Sequence, residues 1–138
     1  DAIASLLELT GPAVLMPHSA GGPQAVGAAL ENPDLVTGFV LVEPTGPPTE
    51  SAFPTLAGKF MLGVYGDYID SRRQSGRKAG VEAAAALFSQ NGGAAEVISM
   101  PDGYGVNGNT HLMMQDNNSE FILALMTDWL DSDISYCE

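Results

Sequence analysis

Ala13-Val-Leu-Met-Pro-His-Ser-Ala-Gly-Gly22 decides the fold. An apolar run closing in His18-Ser19-Ala20-Gly21-Gly22 is the pattern of a buried strand that turns sharply into a helix, with a serine held at the turn. A residue at such a turn is backbone-strained, and only small neighbours such as Ala20, Gly21 and Gly22 leave room for it. The N-terminal amides of the following helix favour negative charge at the same spot, so Ser19 is a candidate nucleophile. The competing reading makes Ser19 an N-cap of that helix.

Three further apolar runs lie downstream, at Val36–Val42, Phe60–Tyr65 and Glu96–Met100. Like Ala13–Met16 they are short and largely without apolar/polar alternation, which suits strands buried on both faces. Between them Pro23–Glu31 and Arg72–Gln90 have helical periodicity, and a last helix stacks Phe121, Ile122, Leu125 and Trp129. Strand alternating with helix predicts an α/β fold: a mostly parallel sheet with helices on both faces and right-handed crossovers. Pro44–Gly58, rich in Pro, Thr and Gly, reads as a surface loop.

At 138 residues the chain is the size of one domain, residues 1–138, with 45% apolar residues and no run long enough to span a membrane as a helix. Seventeen acidic against five basic residues, a net charge of −12, exclude nucleic acid and anionic membrane surfaces as partners, for want of cationic surface. No histidine–cysteine spacing suggests a zinc site, and no metal or cofactor is expected.

In a parallel sheet, groups at the carboxyl ends of neighbouring strands converge on one crevice. Ser19 follows the first run, Glu43 the second, Asp67 the third, and a glycine-rich loop holding His111 the fourth. Nucleophile, acid and histidine thus occur in the order that acyl transfer on such a sheet uses. A serine hydroxyl needs a neutral imidazole to take its proton, and the imidazole needs a carboxylate to fix its tautomer. His111 is the expected base; His18, adjacent to Ser19, leaves the turn in another direction and reads as a space-filler. Strands lie about 4.8 Å apart, so Glu43 is one strand from Ser19 and Asp67 about 10 Å away. Glu43 is therefore the expected acid, with Asp67 the alternative. Met113 and Met114 read as packing or pocket wall.

Pro17-His-Ser-Ala-Gly21, Val42-Glu-Pro44, Tyr65-Gly-Asp67 and Gly108-Asn-Thr-His-Leu-Met-Met-Gln-Asp116 together resemble the carboxyl-terminal half of an α/β-hydrolase. Within that superfamily they are most similar to a small esterase subgroup whose triad acid is a glutamate directly after the sixth strand. The resemblance implies a carboxylic ester hydrolase acting on a small-molecule ester, with Ser19 as nucleophile, Glu43 as acid, His111 as base and the Ala20 N–H as one oxyanion donor. A lactone hydrolase, or a binding or assembly protein that keeps the fold without turnover, are the alternatives. Two departures stand out. Pro17 replaces the usual first glycine of the serine motif, and the strands and loop that would supply a second oxyanion donor are missing.

An apolar first strand with an open edge is a liability, so a second polypeptide or a cleaved partner segment carrying the amino-terminal half is expected. In a secreted protein the lone Cys137 is a candidate for an interchain disulfide, and Asn117-Asn-Ser119 for glycosylation. Asn117 followed by Glu120 also reads as a capping box opening the last helix.

Overall fold

The computed structural model describes residues 2–133, so Cys137 lies outside the described residues. Four parallel strands, β1 (Ala13–Leu15), β2 (Val36–Val42), β3 (Phe60–Tyr65) and β4 (Ala95–Ser99), form one sheet in the order β1-β2-β3-β4. Their registers pair Ala13 with Val36, Gly38 with Phe60 and Met61 with Ala95. Helices α1 (Ala2–Thr10), α2 (Gly22–Glu31) and α3 (Ser75–Gln90) pack on one face, and α5 (Ser119–Asp133) covers the other; the short α4 (Met100–Tyr104) follows β4.

Two cores result. Leu7, Ala25, Ala28 and Ala29 from α1 and α2, with Val81, Ala84 and Phe88 from α3, close on Phe39, Leu41, Met61 and Tyr65. Ile122, Met126 and Trp129 of α5 close on Val40, Val42, Phe60, Leu62 and Val64. The alanines let α2 lie close to the sheet, while Phe88 fills the wider gap beneath α3 against Phe39 and Phe53.

Several local expectations change. β2 and β3 are almost wholly buried, but β1 and the Met16 that follows it are half-exposed, with Val14 37% and Met16 48% accessible, because among the described residues β1 pairs only with β2. The helix expected from Arg72 begins at Ser75, since Arg73 has φ +56° and Arg72 is drawn inward. Met100 opens α4 and does not extend the fourth strand. The 44–58 segment is more than a surface loop, as Pro44, Pro48, Ala52 and Leu56 are buried. The last helix opens at Ser119, and Asn118, not Asn117, supplies the carbonyl that accepts the Ile122 N–H, leaving Asn117 exposed.

Candidate active site

The turn after β1 is built by the segment that follows β2. The Pro17 carbonyl accepts the Val42 N–H at 3.0 Å and His18 bridges to Val42, so the chain stays in the sheet up to the serine. Ser19 then takes φ +50°, a left-handed conformation that costs an L-residue about 1–2 kcal/mol. Its carbonyl is tied down by the Thr45 N–H at 2.8 Å, and Ser19–Gly21 form a 3₁₀ turn running directly into α2. Gly22 is the residue that makes the turn feasible, because a Cβ there would lie 2.2 Å from the Thr45 carbonyl oxygen. Pro17 fits: a Cβ on Gly21 would meet its ring at 3.4 Å, an ordinary contact. The Ser19 hydroxyl makes no capping bond to the helix and is directed to His111 instead.

Glu43 directly follows β2 with φ +39° and no solvent exposure. A buried carboxylate is tolerable only if every lone pair is engaged. Oε1 accepts the Gly66 N–H at 2.9 Å and Arg72 Nη2 at 2.9 Å; Oε2 accepts Arg72 Nη1 at 2.6 Å and His111 Nδ1 at 2.6 Å. Burial pushes this carboxyl up, but the bonds from Arg72, His111 and Gly66 outweigh it and hold the group below the usual carboxylate range. On its other side the His111 ring brings Nε2 to 2.9 Å from Ser19 Oγ. With a carboxylate on Nδ1, that nitrogen carries the proton and Nε2 is left to accept from the hydroxyl.

Asp67 does not touch His111. Its Oδ1 accepts the Tyr68 N–H at 2.6 Å and its Oδ2 the Gly108 N–H at 3.0 Å, so it anchors the start of the histidine loop; these backbone bonds lower its pKa. The rest of that loop is clamped from within. Asn109, buried, exchanges bonds with Asn118 at 2.6 and 3.1 Å and donates to Asp116 at 3.1 Å, and Asp116 accepts the Thr110 N–H at 2.7 Å. The Asn109 carbonyl accepts the Asp67 N–H at 2.9 Å, an approach that Gly66 permits by lacking a Cβ. His18 has a larger part than space-filling: its Nε2 donates to the His111 carbonyl at 2.8 Å and its ring lies 4.5 Å from the His111 ring.

The structure therefore brings Ser19, His111 and Glu43 into one hydrogen-bonded chain and keeps Asp67 outside it. Ala20, exposed, directly follows Ser19 in the 3₁₀ turn. Arg72 and the Asn109–Asp116–Asn118 clamp were not anticipated. The unpartnered Glu43 carboxylate was itself a signal that a cation must lie near, but nothing in the spacing chose Arg72 over the other basic residues. Beside the triad lies an apolar pocket of about 290 Å³ lined by Met16, His18, Val42, Met113, Met114 and Met126 among others.

Solved structures share the fold that carries these residues. A novel bacterial esterase superposes with a TM-score of 0.87 at 31% identity, over 95% of this chain and 41% of its own length. The chain has the α/β-hydrolase fold. A predicted CIB-like hydrolase from Thermoplasma acidophilum shares it at a TM-score of 0.59 and 21% identity, over 94% of this chain and 56% of its own. The chain thus spans about half the length of these neighbours and corresponds to part of an α/β-hydrolase sheet. No protein-family model and no curated protein matches the sequence.

Proposed function

We propose that the chain carries the catalytic residues of a serine carboxylic ester hydrolase. The observation that supports this most is the continuous relay from Ser19 Oγ through the His111 ring to Glu43, at 2.9 and 2.6 Å. Ser19 Oγ attacks the ester carbonyl carbon while its proton passes to His111 Nε2. The tetrahedral intermediate expels the alkoxide, which takes that proton and leaves as the alcohol, with the acyl group on Ser19. Water, deprotonated by the same nitrogen, then releases the carboxylic acid and restores the serine. Glu43 holds the imidazole in the reactive tautomer and balances the imidazolium charge. The Ala20 N–H, in the 3₁₀ turn that leads into α2, is one oxyanion donor. The apolar pocket beside His18 and Met113 suits the hydrocarbon part of a small ester.

The reading includes a second segment. The open edge of β1, with Val14 and Met16 half-exposed, suits further strands of the same sheet, which would also bring the second oxyanion donor. Secretion, a bond through Cys137 and a glycan at the exposed Asn117 belong to this reading, and an intact-mass measurement with and without reductant tests the companion segment, the bond and the glycan.

A serine-directed fluorophosphonate probe tests the activity on the protein as purified from its source. Labelling on the peptide containing Ser19, absent in Ser19→Ala, supports the hydrolase; an unlabelled but folded protein would instead favour a binding role.

A further inference from the structure

The geometry points to a part for Arg72 that rests on the hydrolase reading and deepens it. We propose that Arg72 is a positioning residue that fixes Glu43 as a permanent carboxylate and, by sharing its charge with His111, extends to lower pH the range in which Ser19 is activated.

His111 Nδ1 and Arg72 Nη1 both donate to Oε2 of Glu43 at 2.6 Å, while Arg72 Nη2 takes Oε1 at 2.9 Å, so the guanidinium grips the carboxylate in a fork. A carboxylate that served His111 alone would place one full negative charge against the imidazole and hold it protonated to higher pH. Here a full positive charge grips that same oxygen and its neighbour, so part of the carboxylate's field at the ring is offset. Arg72 is fixed for this task, as its Nη2 also donates to the Asp67 carbonyl, its Nη1 to the buried Gln74 side chain at 3.3 Å, and its backbone N–H to the Tyr68 carbonyl at 2.9 Å. Lysine could supply the charge but not the fork.

The other groups facing the dyad do not duplicate this charge. The His18 ring contacts His111 and is bonded to its carbonyl. The Tyr65 hydroxyl, buried on β3, feels the Glu43 charge but is pushed away from ionising by burial and by that charge. The carboxylates of Asp67 and Asp116 are occupied by backbone N–H groups of the histidine loop.

The test follows the His111 ring by NMR titration, which needs no turnover and is tractable because the chain has two histidines, resolved by His18→Asn. In Arg72→Met the His111 midpoint and the acidic limb of kcat/KM move upward together. Arg72→Lys keeps the midpoint near the parent's and loses plateau turnover. Arg72→Gln is the neutral variant to use if Arg72→Met does not fold. An unchanged midpoint in the neutral variants, or one that moves as far in Arg72→Lys as in Arg72→Met, overturns the proposal. Failure of Ser19 to react with the fluorophosphonate, with the midpoint still moving, would instead remove the hydrolase reading and leave the charge-sharing intact.

Discussion

Replacing Glu43 by Gln separates the two carboxylates that the sequence offered as the acid. The amide is isosteric and still accepts one bond, so the fold survives, but the Oε2 position no longer offers a charge to His111 Nδ1 and Arg72 Nη1. Breaking a fully buried ion pair costs about 3–5 kcal/mol. Arg72 is 21% exposed and Gln keeps part of the network, so a loss of about 1–2 kcal/mol in urea unfolding is expected. The kinetic effect is far larger. Without a carboxylate the imidazole turns its protonated nitrogen toward the serine or loses its orientation, which in serine triads costs about 10⁴ in kcat, or about 5.5 kcal/mol of barrier. Asp67→Asn removes a half-buried carboxylate whose contacts are the Tyr68 and Gly108 N–H groups, so kcat/KM falls less than about tenfold through loosening of the histidine loop. Both are read from initial rates on p-nitrophenyl esters with the protein as purified. A Glu43→Gln enzyme within tenfold of the parent, or an Asp67→Asn enzyme as impaired as Glu43→Gln is expected to be, would refute the assignment.

Three further outcomes are expected. Ser19→Gly unfolds about 0.5–1 kcal/mol later than Ser19→Ala in denaturant, because both lose the hydroxyl but only glycine is at ease at φ +50°; equal stabilities would mean the turn is unstrained. Gly22→Ala lowers the thermal midpoint by the equivalent of about 1–3 kcal/mol and slows Ser19 labelling, since its methyl would overlap the Thr45 carbonyl; an unchanged midpoint contradicts the packing. Acid destabilises the fold: Glu43, Asp67, Asp116 and, on α4, Asp102, which accepts from Ser99 and Lys78, all have folded pKa values below their ordinary 4.5 or 3.8, so the stability they contribute is complete above those values and lost as pH falls through the lower folded ones. Thermal midpoints that hold steady or rise as the pH is taken below about 4 would reverse that sign.

Much of this was legible in the chain because buried parallel strands and their turns obey simple rules. Val36–Val42 and Phe60–Tyr65 form strands over the predicted residues, as continuous apolar runs must when helices cover both faces. Ser19, Glu43 and His111 stand at or beyond strand ends, where the topology alone brings them near one another. Other features depend on partners distant in sequence. Arg72 lies 29 positions from Glu43, and its inward turn, which delays the expected helix to Ser75, answers a burial penalty that has no periodicity. The same holds for Asn109 with Asn118 and Asp116, a clamp of side chains whose spacing resembles any polar loop. Pro44–Gly58 looked like a surface loop by composition, yet Leu56 is fully buried and Thr45 secures Ser19, because a turn that crowds the serine needs a second segment to hold it.

The central claim is that an acyl group is carried on Ser19. Mixing the purified protein with p-nitrophenyl butyrate, quenching in acid during the first turnover and mapping the adduct by mass spectrometry examines it directly. A butyryl group on the peptide containing Ser19, formed as fast as the first p-nitrophenolate and missing in His111→Ala, is the predicted result. Turnover with no acyl group on Ser19 at any quench time, or with the group on another residue, would contradict it.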